Sequence, residues 1–175
     1  HDNVRVALDS LSAHGDTQLA LALAESVWRF WKMRGHQAEA QRRLESLLAL
    51  DDKHSVARGH ALNAVAGMAV ENGEYQTGRL QAEQARAIHR DHGDAWGIAR
   101  STYMLGYAAI ESGDFGGAKP HFEETVTLMA ELGHEQYVGM ATFLYRSKNE
   151  KLRVLVEAQL ALGVAFVTVA VPPAL

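Results

Sequence analysis

The feature that most narrows the fold is a ladder of glycines: Gly73, Gly93, Gly113 and Gly133 follow one another at intervals of twenty residues. Gly15 and Gly35 are separated by the same interval. Gly35 and Gly73 stand thirty-eight apart, with Asp51-Asp52-Lys53 in the place of a middle turn. Twenty residues accommodate one helix of about 16 residues and a tight connection. Only three prolines occur, at Pro120, Pro172 and Pro173, so glycine supplies the punctuation.

The stretch ENGEYQTG, residues 71–78, returns forty residues later as ESGDFGGA, residues 111–118. Gly15-Asp16, Gly93-Asp94 and Gly113-Asp114 share one dipeptide, and Gly73-Glu74 is close to it. A glycine just past a helix end can adopt the left-handed conformation that closes the last turn. An aspartate immediately after it can accept hydrogen bonds from the free amides that open the next helix. The repeated loop is therefore read as a connector, not as a site used twice.

Between connectors the apolar spacing predicts helices near 3–13, 17–33, 37–49, 55–72, 75–91, 95–112 and 115–132, and a further one from about 135. In the second of these, Leu19, Leu23, Val27, Phe30 and Trp31 mark one face. Ala20, Ala24 and Trp28 mark another, so this helix is expected to be covered on two sides. No strand-like alternation precedes the tail. The expected fold is all-α, built from antiparallel hairpins stacked in a row.

Composition bounds the function. The chain has 175 residues, 47% of them apolar and 22% charged, which suits a soluble globular protein with a sizeable core. A net charge of −4 argues against a surface that tracks nucleic-acid phosphates. The absence of cysteine excludes disulfides and thiolate chemistry, and a cytoplasmic setting is expected. The chain opens on His1 without a basic-then-apolar leader, which reads as a fragment lacking a signal peptide. The last segment, residues 146–175, departs from the repeat. RSKNEKLRV occupies 146–154, where a turn would fall, and residues 158–171 are uncharged. Fourteen such residues are fewer than the roughly 18 that span a bilayer. The tail reads as a capping helix, a strand-like end or a sequence out of its frame, and 1–145 as the repeat domain.

Several residues resemble the tetratricopeptide signature: Leu105, Gly106, Gly113, Phe115, Ala118 and Phe122, more loosely Ala66, Tyr75, Ala82 and Ala85, and Ala40, Leu44 and Leu47 in a second helix. Gly78 stands where a small alanine is usual. The forty-residue period exceeds the standard repeat of about 34, so the chain resembles a longer variant. HDNVRVALDSL, residues 1–11, with ESVWRFWKMRGHQAEAQRRLESLLAL, residues 25–50, is similar to the helical array of bacterial LuxR-like and AfsR-like predicted ATPases of the STAND type. Ala40 replaces a common glycine there and Arg43 a common tryptophan. The resemblance implies a right-handed superhelix of helix hairpins. It also implies an NTPase domain outside this chain, since no GxxxxGK[ST] loop is present. Nor is there a helix-turn-helix segment with a basic recognition helix.

Nine histidines raise the question of a metal. HRDH places His89 and His92 three apart on one helix, and a metal-dependent enzyme using this pair is the reading from a different class. Two ligands fall short of the three or four a site needs, and no HExxH is present. The last turn of a helix also favours His and Arg at its negative end. His14, His36 and His134 flank turns. Ser26, Ser101 and Ser112 sit inside helices without a strained turn to present a nucleophile. Trp28, Phe30 and Trp31 read as packing between helices. No catalytic residue, cofactor or metal is assigned.

The favoured site is a stripe. Arg100, Tyr103, Tyr107 and Glu111 recur along one face of a first-of-pair helix, opposite Ile98, Thr102, Leu105 and Ala109. Their equivalents are His60, Asn63 and Glu71 one hairpin earlier, and Glu25, Arg29 and Lys32 before that. In the tetratricopeptide family the matching stripe lines a concave groove. Aromatics give contact area there and charges give orientation, which suits a protein segment, a peptide or a small polar effector. The expected function is a non-catalytic sensor or scaffold module of a larger signalling ATPase. A free-standing adaptor is the alternative. Neither nucleic acid nor membrane is an expected partner, and apolar array ends could drive homodimerisation.

Overall fold

The computed structural model describes the backbone of residues 2–161 and the side chains of residues 2–150. Readings that concern 162–175 lie outside the described residues. Eight helices appear among those described: α1 (Asp2–Ala13), α2 (Thr17–Met33), α3 (Gln37–Leu50), α4 (Val56–Glu71), α5 (Tyr75–Asp91), α6 (Ala95–Glu111), α7 (Phe115–Glu131) and α8 (Glu135–Ala161). No strand occurs among the described residues. RSKNEKLRV is helical and lies within α8, which runs through position 153 without a turn.

Six of the seven connections share one geometry. Gly15, Gly35, Gly73, Gly93, Gly113 and Gly133 all have positive φ, between 65° and 86°. In each, the N–H of the following residue donates to a carbonyl five residues back, as from Asp94 to His89 and from Asp114 to Ala109, both at 2.9 Å. This is the bond pattern that closes a helix through a left-handed residue. The expected aspartate caps form only in part. Asp94 accepts from the Gly97 N–H at 3.0 Å and Asp114 from the Gly117 N–H at 2.8 Å. Asp16 and Glu74 make no side-chain cap bond. A glycine lies three residues after each capping aspartate, and a Cβ at Gly117 would fall 2.2 Å from Asp114 Oδ2. Leu19 holds that position after Asp16, and Glu74 carries a longer side chain.

The seventh connection, from α3 to α4, has no glycine. Its carbonyls are satisfied by Arg58, whose guanidinium donates to Leu48 O at 2.8 Å and to Asp51 O. Asp51, buried, accepts from Gln18 Nε2 of α2 at 2.8 Å. A cation at a helix C-terminus does here what a left-handed glycine does elsewhere.

Helices pair in sequence, α2 with α3, α4 with α5, α6 with α7, and each hairpin leans on the next through α3–α4, α5–α6 and α7–α8. The even-numbered helices also pack directly on one another, from α2 to α4, α6 and α8. Small residues permit close approach within the hairpins, between α4 and α5 and between α6 and α7. A Cβ at Gly78 would lie 2.6 Å from Val70 Cγ2 and 2.9 Å from the Ala66 carbonyl oxygen, and one at Gly106 would lie 3.1 Å from the Phe122 ring. Helix α4 is buried continuously from Ala61 to Val70 and is the centre of the array. In α2 the buried residues are Ala20, Leu21, Ala24, Trp28 and Trp31, whereas Leu19 is 59% exposed and Phe30 43% exposed. The stripe headed by Leu19 is covered unevenly: Trp31 is buried and Leu23 and Val27 pack partly against the core, while Leu19 and Phe30 face outward. The alanine stripe of Ala20, Ala24 and Trp28 is buried throughout.

Charges tie α1 to α3. Arg5 meets both oxygens of Glu39 at 2.6 and 2.8 Å, and Arg43 meets Asp9 at 2.7 Å while lying 6.0 Å over Trp31. The Arg5 guanidinium pulls the Glu39 carboxyl down to about 2. A depressed carboxyl stabilises the fold above its ordinary value and loses that contribution as pH falls towards 2. Wild type should therefore melt higher than Glu39→Gln near pH 7, and the two melting curves should converge between pH 4.5 and about 2. The connectors predict a second contrast. Gly113→Ala, at φ 86° with open space around it, should cost about 1–2 kcal/mol in denaturant unfolding. Gly116→Ala, helical and uncrowded, should be neutral or up to about 1 kcal/mol stabilising.

Candidate functional site

Helices α2, α4 and α6 carry the ten stripe residues, and cross-helix ion pairs knit the stripe together. Glu25 of α2 accepts from Arg100 of α6 at 3.0 Å, across seventy-five positions of sequence. Lys32 of α2 donates to Glu71 of α4, which also accepts from Gln37 Nε2 at 3.2 Å. Glu111 of α6 meets Lys148 of α8 at 2.8 Å. Arg29 is exposed, with its guanidinium 4.9 Å over the Trp28 ring.

Burial divides the stripe in two. At one end Asn63 is fully buried, the Arg100 side chain is 7% exposed, and Glu25 and His60 are mostly covered. A charge pair withdrawn from water this far is framework, because losing one partner leaves the other buried and uncompensated. At the other end Lys32 and Glu71 remain about a third exposed, and such a pair is worth roughly 1 kcal/mol at most. It can be opened and re-paired at little cost. Beside it, Tyr103 and Tyr107 are half-buried and stacked 6.3 Å apart, and Tyr103 also packs edge-on to Phe122 at 5.8 Å. Burial, then Tyr107 and Glu111, pushes the Tyr103 hydroxyl up to about 12. Burial, Glu111 and Glu71 push Tyr107 upward as well. Both rings pack against the core around Phe122 and Tyr145, and Tyr107 also lies near the carboxylates of Glu111 on its own helix and Glu71 on α4.

Beneath the covered end, three groups converge that helical periodicity did not connect. His60 comes from α4, His89 from the last turn of α5, and Asp94 caps α6. Asp94 Oδ2 lies 2.9 Å from His89 Nδ1 and 3.2 Å from His60 Nε2, and the rings are 4.6 Å apart. His89 is wholly buried between two helical glycines: a Cβ at Gly59 would stand 2.7 Å from its ring and one at Gly97 would stand 2.2 Å away. Burial lowers both imidazoles. For His89 the neighbouring His60 adds to the effect and Asp94 opposes it. For His60, Asp94 and Glu25 oppose it. The reading of His89 as a helix-end charge is therefore corrected: its ring is enclosed rather than offered to the helix terminus. His92 does remain outside, with Nδ1 2.9 Å from Ile88 O and its ring stacked on His54. The HRDH histidines thus go to different neighbours. Glycines inside α4 and α6, which weaken a helix unless something approaches closely, were the sequence signal for this cluster.

Elsewhere, a cleft of about 590 Å³ is bounded by the α4–α5 and α6–α7 connections and the adjoining helix ends, including Gly73, Tyr75, Arg79 and Asp114, and no stripe residue lines it. No helix among the described residues is long and apolar enough to cross a membrane. No protein-family model matches the sequence, and comparison with curated proteins finds no significant match. The chain is an all-α protein whose eight described helices pack in sequential antiparallel pairs, consistent with a helical repeat array.

The covered end of the stripe predicts a mutational asymmetry. Glu25→Ala should cost about 3 kcal/mol, since Arg100 stays buried without its partner. The double variant Glu25→Leu with Arg100→Met should recover most of that loss in urea unfolding.

Proposed function

We propose that this chain is a non-catalytic binding module of tetratricopeptide-like architecture whose stripe on α2, α4 and α6 receives a protein segment or peptide. The observation that carries this reading is the division of the stripe. One end is locked by the Glu25–Arg100 pair, while the other presents Arg29, Lys32, Glu71 and Tyr107 with exposed, partly exposed or weakly committed side chains. A rigid framework beside adaptable charges and a half-buried tyrosine is what peptide recognition requires, since ordering is already complete before the partner arrives.

The finer architecture belongs to the same proposal. The even-numbered helices touch one another, while α3, α5 and α7 make little contact among themselves. Hairpins that are close on one side and open on the other curve towards the close side. Repeated along the chain, this would curve the array with the stripe on its inner surface, and the family resemblance implies that the curve is a right-handed superhelix. The same resemblance favours a sensor or scaffold array attached to a signalling ATPase and transcriptional regulator. A partner in the groove would act on that ATPase only through its different affinity for two arrangements of the array.

A random-peptide display library selected on the full chain provides the test. Binding of the selected peptides should fall about tenfold or more in Tyr107→Ala, a loss typical of an interface anchor, with helix content unchanged by circular dichroism. Peptides indifferent to both Tyr107→Ala and Arg29→Ala would remove the stripe as the recognition surface.

A further inference from the structure

We propose that His60, His89 and Asp94 form a binding site for one divalent transition-metal ion of the zinc class, at the junction of α4, α5 and α6. The proposal is separate from the peptide-binding reading and stands or falls without it.

The donor set is suited to such an ion, with two imidazole nitrogens and one carboxylate oxygen. One donor atom from each residue falls within a sphere where all three lie within 4.8 Å of one another. Ligands at about 2.0–2.1 Å from a tetrahedral centre stand about 3.3 Å apart. The distances from Asp94 Oδ2, 2.9 Å to His89 and 3.2 Å to His60, are already close to that edge. Only the separation between the two imidazole donor atoms, which is within 4.8 Å, has to contract.

These atoms have little else to bond. His89 Nδ1 and Asp94 Oδ2 are buried 2.9 Å apart, with no hydrogen-bond partner beyond that contact. When the His89 proton is on Nε2, both atoms present lone pairs to each other, and an ion that accepts both removes two penalties at once. The second oxygen of Asp94 is already committed, accepting from the Gly97 N–H at 3.0 Å, and this fixes the direction in which Oδ2 points.

The surroundings orient His89 for this role. A ligating Nδ1 requires the proton on Nε2, where an outer acceptor normally holds it. The Gly59 backbone hydrogen-bonds the ring, and Asn63 Nδ2 lies 3.4 Å from Nε2. Asn63 Oδ1 is itself buried without a partner. Turning the amide over leaves its shape unchanged and brings Oδ1 to Nε2 as an acceptor. Gly59 and Gly97 leave room for this ring and for nothing larger. His60 and Asp94 keep 23% and 18% of their side chains exposed, so an ion can enter from their side and retain water in its remaining position.

The experiment uses the full chain, stripped with EDTA and titrated with Zn2+ by calorimetry and with Co2+ by visible absorption. The expected result is one high-affinity ion per chain, the visible bands of low-symmetry Co2+ and a raised melting temperature with Zn2+. Asp94→Asn, which retains the cap oxygen, and His60→Gln should each weaken Zn2+ binding at least about tenfold while circular dichroism stays unchanged. His54→Ala with His92→Ala, which removes the exposed histidine pair, should leave binding intact. No ion bound by the wild type would overturn the proposal. So would binding that survives Asp94→Asn and His60→Gln, or that is lost with the His54 and His92 pair.

Discussion

The structure depends on helix ends that close through a left-handed glycine. Folding an array of helices from one chain requires that each helix stop within a residue or two and that the next begin at once. A residue with a Cβ resists the conformation that does this, and glycine accepts it. Six connections use the device, and the bonds across them satisfy carbonyls that would otherwise be left without partners. With ends fixed this tightly, neighbouring helices must run antiparallel and side by side. The pairing of helices in sequence order follows from the connectors before any long-range contact is considered. The one connection without glycine reaches the same end differently, by recruiting Arg58 to the carbonyls of α3.

Close approach is the second theme, and it determines where polar chemistry can be buried. Glycines on α4 and α6 leave space that admits single large or polar side chains from the odd-numbered helices. Phe122 fills the space opposite Gly106, and His89 fills that between Gly59 and Gly97. The first is an ordinary packing solution. The second places an imidazole in the interior with its Nδ1 2.9 Å from Asp94, the residue that caps α6.

Much of this architecture is readable in the sequence because it is local. The interval between glycines places helix bounds to within a residue or two, and the small residues of the tetratricopeptide-like pattern, such as Ala118 and Ala82, are buried as that pattern implies. What periodicity could not decide was which side of α2 packs. Leu19 and Ala20 head stripes of similar quality, and only the neighbours choose between them. The cluster of His60, His89 and Asp94 was illegible for a related reason: its members lie on three elements, and no single helix face contains two of them. The stripe residues were found, but their division into a locked end and an adaptable end depends on burial, which spacing does not encode. Glu25 and Arg100 look like surface charges until the helices between them are in place.

That pair also bears on how the array can be divided. Solenoid repeats usually behave as interchangeable bricks, each stabilised by its immediate neighbours, so that bricks can be removed or added with a predictable change in stability. The bond between Glu25 and Arg100 bypasses the intervening hairpin and joins the first hairpin to the third. Cutting the chain after α3 would therefore cost the remaining piece the Glu25–Arg100 pair as well as the lost hairpin's own interface. The first and third hairpins are coupled across the second, so the array does not divide at the α3–α4 connection as a row of independent bricks would.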